Sequence, residues 1–205
     1  MSRIGIVDYG MGNLMSVANA VERVGGQAAI VTRPEALADY DHLILPGVGG
    51  FAQAIETLRR TGLAEALSAY AESGRPILGI CLGMQLMCRS SEEGGKHEGL
   101  GWFDLDVVRF PAAPGLRVPQ IGWNTVNVQR AHPLFEELEA RFDVYFLHSY
   151  FARADQSAEV LGITEHGVRY ASILGRDNLC AMQFHPEKSH HVGLVLLSNF
   201  LHKMM

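Results

Sequence analysis

The chain has 205 residues, of which 48% are apolar and 19% charged, and this is enough apolar material to bury the core of one globular domain. The net charge of −5, without a basic cluster interleaved with aromatic residues, argues against nucleic acid as a partner. The sequence shows no signal peptide and no apolar run near the roughly 18 to 20 residues of a membrane span, and its three cysteines cannot form a paired framework. We therefore expect a cytoplasmic, reduced protein with a single domain over residues 1–205 and no membrane or nucleic-acid partner.

In the first half of the chain, short apolar segments alternate with amphipathic helical stretches. This alternation is typical of a parallel sheet covered by helices on both faces. Strands are predicted over 3–8, 27–31, 42–45 and 76–80, and helices over 13–25, 52–60 and 63–72.

The second half is richer in strands. The polar, glycine-rich segment 90–101 is predicted to be a loop, and a helix is predicted over 189–202. The predicted fold class is α/β, with a doubly wound, mostly parallel sheet flanked by helices and a strand-rich second half. Strands of this half are predicted over 102–110, 117–129, 144–148, 159–164, 168–174 and 179–184.

The first candidate for chemistry is Cys81, which lies where an apolar strand is predicted to turn into a helix. Gly79 and Gly83 flank it, and a strained strand-to-helix turn requires glycines where a Cβ would collide. At the first turn of a helix, unpaired N–H groups favour the thiolate form of a cysteine. Cys81 is thus a candidate nucleophile, although a cysteine in an apolar run is more often a small buried hydrophobic residue.

A second candidate motif, His185-Pro186-Glu187, places a base and a carboxylate two residues apart. The proline disfavours a helical backbone at His185, and in an extended segment residues i and i+2 point to the same side. The carboxylate of Glu187 could then fix the imidazole tautomer while the other ring nitrogen faces a thiol. Together with Cys81, these residues suggest a hydrolytic Cys, His, Glu triad.

These two motifs carry a family resemblance. The pairing of Gly79-Ile80-Cys81-Leu82-Gly83-Met84-Gln85 with Gln183-Phe184-His185-Pro186-Glu187 resembles the class I, or triad-type, glutamine amidotransferases. Over essentially the whole chain, the resemblance is closest to the members that supply ammonia for imidazole glycerol phosphate synthesis in histidine biosynthesis. Four stretches carry it: Asp8-Tyr9-Gly10-Met11-Gly12-Asn13-Leu14, Pro46-Gly47-Val48-Gly49, Pro119-Gln120-Ile121-Gly122-Trp123-Asn124 and His185-Pro186-Glu187-Lys188-Ser189.

The resemblance implies roles for the matching residues. Cys81 would form a glutamyl thioester and release ammonia, His185 would be the general base and acid, and Glu187 would orient it. The resemblance also favours an oxyanion-binding role over a plain tight turn for the loop after Pro46. The implied oxyanion donors are the backbone N–H groups of Val48, Gly49 and Leu82, and the implied glutamine contacts are Gly47, Gln85, His148, Ser149 and Tyr150.

A partner must accept the ammonia, because the sequence contains neither a phosphate-binding loop nor a complete dinucleotide fingerprint. The resemblance implies a (β/α)8-barrel cyclase subunit in a heterodimer, with glutamine as the small-molecule substrate. No cofactor and no metal are predicted, since the spacing of His185, His190 and His191 matches no common zinc pattern. The implied interface residues are Gly12, Asn13, Pro119, Ile121, Trp123, Tyr145 and Lys188, with Trp123 equally compatible with a plain core aromatic.

Alternative functions are also open. An α/β-hydrolase-like esterase with cysteine on the same kind of turn is disfavoured. In the α/β-hydrolase fold the catalytic acid normally precedes the histidine in the chain, whereas Glu187 follows His185. A non-catalytic binding module would predict a damaged triad. A glutaminase that serves another acceptor enzyme, in the anthranilate or pyridoxal phosphate pathway, is the nearest alternative.

Overall fold

The structure, a computed structural model, describes residues 2–154 and 157–204. Thirteen strands in this part of the chain form one sheet, and helices cover it. The strands are β1 (Arg3–Val7), β2 (Gln27–Val31), β3 (His42–Gly47), β4 (Ile77–Cys81), β5 (Cys88–Ser91), β6 (His97–Glu98), β7 (Phe103–Arg109), β8 (Gln120–Val128), β9 (Arg141–His148), β10 (Tyr150–Arg153), β11 (Val160–His166), β12 (Val168–Arg176) and β13 (Leu179–Met182). The helices are α1 (Leu14–Arg23), α2 (Phe51–Arg60), α3 (Leu63–Glu72), α4 (Leu82–Met87) and α5 (His190–Lys203).

The parallel part of the sheet has the strand order β2, β1, β3, β4, β13. Its central strands β3 and β4 are buried along their whole length, which explains their continuous apolar runs without alternation. In a parallel sheet the carboxyl ends of neighbouring strands meet at one edge, and there Gly47 of β3 lies beside Cys81 of β4. This edge carries the candidate site.

Helices pack on both faces of the sheet. On one face, α1 and α5 bury an apolar stripe against the inward side chains of β1, β4 and β13. On the other face, α2, α3 and α4 do the same against β3 and β7. The predicted α/β class with helices on both faces is confirmed.

Antiparallel pairing dominates the second half, as in β12 with β13, β10 with β12, and β11 with both β12 and β8. The strands β8 and β9 form a long two-stranded ribbon in which Gln120 pairs with His148 and Asn127 with Arg141. The predicted strand-rich second half is therefore confirmed. The ribbon brings His148 and Ser149 to the carboxyl-end edge of the parallel strands.

Three local predictions are wrong. Segment 90–101 is not a loop throughout, because β5 includes Ser90 and Ser91 and pairs with β7, and β6 pairs with β5. The spacing of seven residues predicts Cys88 on the same helix face as Cys81, but helix α4 ends at Met87 and Cys88 begins a strand. Strand β8 begins at Gln120, three residues later than predicted, and β10 was not predicted. Polar residues form β5 because they pair with another strand, which no local pattern reveals.

No helix among the described residues combines the length and the apolar character needed to cross a bilayer.

Candidate active site

Cys81 lies at the turn from β4 into α4. Its backbone has φ +54° and ψ −109°, which is a strained conformation for a residue with a Cβ. The side chain is 6% exposed, and its Sγ lies 3.8 Å from the carbonyl oxygen of Leu147. The predicted sharp turn at Cys81 is confirmed.

The glycines around Cys81 are required by close backbone approach. A Cβ on Gly83 would lie 1.7 Å from the carbonyl oxygen of Leu45 in β3, and one on Gly79 would lie 2.9 Å from the backbone nitrogen of Met84. Real Cβ atoms do not come so near to backbone atoms, so only glycine lets α4 fold back onto the sheet here. The two glycines thus allow the turn that presents Cys81.

His185 and Glu187 follow the parallel strand β13, next to β4. Nδ1 of His185 lies 2.8 Å from Oε1 of Glu187, and the two side chains are only 4% and 1% exposed. A carboxylate only accepts hydrogen bonds, so Nδ1 carries the hydrogen and Nε2 is left to act at the cavity. Within the described residues, this buried Nε2 has no hydrogen-bond partner.

The electrostatics of this pair favour the imidazolium. Burial alone lowers the pKa of His185, but the interactions with Cys81 and Glu187 outweigh it and raise the pKa well above its ordinary value. A positive imidazolium beside a sulfur stabilises the thiolate, which is the nucleophilic form. The arrangement can therefore hold a thiolate and imidazolium pair in a nearly dry site.

A cavity of about 280 Å³ opens at Cys81 and His185. The structure brings most of the other predicted catalytic and glutamine-contact residues to it. Gly47 is not part of its wall and packs instead against the Tyr9 hydroxyl and Leu82. The predicted residues that line the cavity, besides Cys81 and His185, are Val48, Gly49, Leu82, Gln85, His148, Ser149 and Tyr150.

Two polar side chains in the cavity wall are fixed by the same carbonyl group. Nε2 of Gln85 donates to the carbonyl oxygen of Tyr150 at 2.8 Å, and Nδ1 of His148 lies 2.8 Å from that oxygen. Burial lowers the pKa of His148 to about 3, so its ring is neutral at pH 7. The aromatic rings of Phe110, Phe146 and Tyr170 pack around it. His148 is therefore both a core histidine and a wall residue.

Three side chains at the site were not predicted. Gln183, fully buried, lies with Nε2 3.9 Å from Cys81 Sγ. Glu93 lines the cavity and accepts a hydrogen bond from the backbone N–H of Phe51 at 2.7 Å. Ser189 connects the backbone of the triad to β9, since its hydroxyl donates to the carbonyl of His185 at 2.7 Å and accepts from the N–H of Tyr145 at 3.0 Å. Gln183 and Ser189 lie within the stretches that carry the family resemblance, but those stretches did not indicate a role for either side chain.

An exposed apolar surface borders the cavity mouth. Ile121 and Trp123 of β8 pair with Leu147 and Tyr145 of β9, and directly opposed residues present their side chains on the same face. Ile121 is 62% exposed, Trp123 49% and Leu147 38%. We call Val48, Ile121, Trp123, Tyr145 and Leu147 the rim surface.

The start of α5 supports the rim surface. The ring of His190 stacks on Trp123 with centroids 4.9 Å apart and planes 12° apart, and Lys188 Nζ lies 5.9 Å from the centre of the Tyr145 ring. The other residues predicted for the interface are also at least partly exposed: Asn13, Pro119 and Lys188 are exposed, and Gly12 is half-buried. Trp123 is thus a surface residue and not a core aromatic.

Metal-ligating side chains do not converge in the described part of the chain, where no group of three His, Cys, Asp or Glu residues has a suitable geometry.

Comparison with known proteins identifies the family. The family model described as glutamine amidotransferase class-I matches residues 5–204. The chain belongs to the class I glutamine amidotransferases. The resemblance carried by the Cys81 and His185 motifs is therefore confirmed.

Curated class I amidotransferase relatives match almost the whole chain. The imidazole glycerol phosphate synthase subunit HisH of Symbiobacterium thermophilum is 50% identical over 200 residues, covering 98% of this chain and 93% of that protein. The protein of the same name from Wolinella succinogenes is 46% identical over 200 residues, covering 96% of this chain and 98% of the relative.

Solved structures support the class I amidotransferase fold. The structure of PurLQS from Thermotoga maritima has a chain that superposes with a TM-score of 0.78 at 19% identity, over the whole of both chains. A crystal structure described as glutamine amidotransferase gives 0.73 at 22% identity, covering 95% of this chain and 98% of the other. At this identity the likeness concerns the fold alone.

Proposed function

We propose that this chain is the glutaminase subunit of an imidazole glycerol phosphate synthase, active in the cytoplasm as a single domain. It hydrolyses glutamine to glutamate and ammonia, and it passes the ammonia to a (β/α)8-barrel cyclase subunit. The observation that carries the proposal is the buried arrangement of Cys81, His185 and Glu187 around one cavity, in a chain half identical to a protein of that name.

The proposed reaction has two stages. The Cys81 thiolate attacks the side-chain amide carbon of glutamine, and the C–N bond breaks as the His185 imidazolium gives its proton to the amide nitrogen, which leaves as ammonia. Water then attacks the glutamyl thioester while His185 takes a proton from it, and the C–S bond breaks to return the electron pair to sulfur. Glu187 keeps the imidazole in the tautomer that both stages need.

Backbone donors near Cys81 are proposed to hold the oxyanion. The N–H of Leu82 is in the first turn of α4, where backbone N–H groups lack partners within the helix. Val48 and Gly49 follow β3 at the same edge of the sheet and line the same cavity. Removing one such donor typically costs about 100- to 1000-fold in kcat.

A charged side chain in the cavity wall suggests how glutamine is oriented. The Glu93 carboxylate is suited to the α-ammonium group of an amino acid, because opposite charges attract strongly in a partly dry site. Gln85 uses its amide N–H₂ toward Tyr150, so its amide oxygen is free to accept. Together with His148, Ser149 and Tyr150, these groups would fix the substrate with its amide at Cys81.

The partner is proposed to cover the rim surface. Exposed aliphatic and aromatic side chains next to a cavity mouth are typical of a protein interface, and such a cover would keep ammonia away from solvent. Trp123 would lie beside the ammonia path and Lys188 at the edge of the contact, with Gly12, Asn13, Pro119, Ile121 and Tyr145 in the same interface.

Glutamate release from glutamine by purified variants tests the proposed chemistry. We expect Cys81→Ala to abolish hydrolysis in the complex, because no other thiol reaches the cavity among the described residues. Cys88→Ala is the matched control: its thiol is equally buried, and burial together with Glu159 and Asp106 raises its pKa, so its loss leaves hydrolysis nearly unchanged. If Cys81→Ala hydrolysed glutamine at the wild-type rate, the assignment of Cys81 as the nucleophile would be refuted.

A further inference from the structure

We infer that Gln183 is a further catalytic residue, whose side-chain amide donates a hydrogen bond to the sulfur of Cys81 and connects the nucleophile to Gln85. The inference rests on the proposed function, because it takes Cys81 as the nucleophile. It starts from the position of Gln183, which comes directly after β13 and is fully buried beside β4. Its backbone N–H is already used by the carbonyl of Ser172.

The orientation of the Gln183 amide follows from a chain of hydrogen bonds. The carbonyl oxygen of Tyr150 can only accept, so the Gln85 amide atom 2.8 Å from it must be the N–H₂ group. The same N–H₂ group lies 3.1 Å from the side chain of Gln183, whose nearer atom must then be the oxygen. The remaining N–H₂ group of Gln183 faces Cys81 Sγ at 3.9 Å. A flipped amide would place two donors against each other.

This donor matters most when the sulfur is charged. A thiol can donate to the carbonyl oxygen of Leu147, 3.8 Å away, but a thiolate cannot, and a buried anion needs donors. His185 supplies positive charge on one side, and Gln183 adds a neutral donor within the core. The other titratable groups facing this region are Tyr9, whose pKa is raised by burial and by Cys81, and the cavity-wall residues Glu93, His148 and Tyr150. His148 is neutral at pH 7 because burial lowers its pKa to about 3.

The donor would act in both stages of the reaction. It increases the fraction of Cys81 present as thiolate before attack, and it stabilises the sulfur again when the C–S bond of the thioester breaks and sulfur takes back the electron pair. The same Gln183 amide accepts a hydrogen bond from Gln85, which lines the cavity. If Gln85 moves when glutamine binds, the Gln183 side chain would transmit that movement to the Cys81 sulfur.

The test is the pH dependence of Cys81 alkylation by iodoacetamide, followed by mass spectrometry of the Cys81 peptide. For Gln183→Met, which fills the same space without a donor, we expect the rate at pH 7 to fall about tenfold while the maximal rate at high pH is retained. In the complex, the kcat for glutamine hydrolysis falls about 10- to 100-fold. Gln183→Leu likewise lacks a donor, so its rate at pH 7 falls about as far, and it replaces Gln183→Met if that variant does not fold.

Asn199→Leu is the control for a general loss of stability. Its buried amide donates to the carbonyl groups of Leu134 and Glu136, and none of these three residues lines the cavity, so alkylation of Cys81 keeps the wild-type pH profile. A wild-type pH profile in Gln183→Met and Gln183→Leu would overturn the inference. A shifted profile without any glutamate release by the wild-type complex would instead refute the proposed function.

Discussion

The His185 and Glu187 pair is the residue-scale feature on which the proposed chemistry depends. Their hydrogen bond of 2.8 Å lies between two side chains that are almost free of solvent, where a charge is costly unless it is paired. Cys81 and Glu187 together therefore keep the imidazole of His185 protonated at pH values where an exposed histidine is neutral. This state is needed to protonate the leaving ammonia.

Glu187→Gln tests this coupling. The glutamine keeps the shape and an acceptor but removes the negative charge, so one cause of the raised pKa of His185 is lost and that pKa falls, by about one pH unit or more. The measurement is the pH titration of the His185 ring nitrogens by NMR, with the exposed His202 as internal reference.

We expect glutamine hydrolysis by Glu187→Gln to fall at least about 100-fold at pH 7, because proton transfer by His185 is weakened. If the pKa of His185 were the same in Glu187→Gln as in the wild type, Glu187 would not be the partner that sets the protonation of His185.

At this scale the sequence predicted Cys81, His185 and Glu187, because strand-to-helix glycines and a two-residue spacing are local signals. Gln183, Glu93 and Ser189 were missed, since their contacts join segments far apart in the chain: Gln183 meets Gln85, and Glu93 meets Phe51. Hydrogen bonds of this kind depend on how the elements pack, and the periodicity of apolar residues in the sequence does not indicate them.

At the scale of elements, the short helix α4 is held against β3 by a backbone contact. Gly83→Ala would place a Cβ 1.7 Å from the carbonyl oxygen of Leu45, and neither backbone can yield without moving β3 or α4. We expect a loss of about 3 kcal/mol or more in the free energy of unfolding, measured by urea denaturation.

Gly50→Ala is the matched control for that substitution. Gly50 precedes α2 with φ −91°, and a Cβ there would meet no atom within 4 Å. Its free energy of unfolding is expected to stay within about 1 kcal/mol of the wild type. Equal effects of the two substitutions would mean that the close approach at Gly83 does not hold the Cys81 turn.

The continuous apolar runs of β3 and β4 and the helical stretches α2, α3 and α5 were predicted well. Strand β5 was missed because its residues Arg89, Ser90 and Ser91 are polar and gain strand structure only by pairing with β7. The short helix α4 was too short for its end to be read from periodicity, which is why Cys88 was placed on it.

At the scale of the whole molecule, the rim surface and the cavity lie at one edge of the sheet, so a partner that covers the rim also closes the site. Ile121→Asp places a charge in the middle of that apolar surface. We expect the affinity for the cyclase subunit to fall at least about tenfold, measured by calorimetric titration, because a buried unpaired charge is costly in an interface.

The control for this substitution is Ile30→Asp, on strand β2 at the far end of the parallel sheet. Ile30 is 44% exposed, so it offers a similar apolar side chain outside the rim surface. The affinity of Ile30→Asp for the cyclase subunit is expected to match that of the wild type. In both variants, iodoacetamide is expected to alkylate Cys81 at the wild-type rate. Equal weakening by Ile30→Asp would move the interface away from the rim surface.

The most direct test of the whole account is glutamate release from glutamine by the purified chain, first alone and then with the cyclase subunit and its ribulosyl nucleotide substrate. The account predicts slow release by the chain alone and strong stimulation when both the partner and its nucleotide are present. Steady release that is indifferent to the cyclase subunit would contradict the proposed partner and leave a glutaminase that serves another acceptor enzyme.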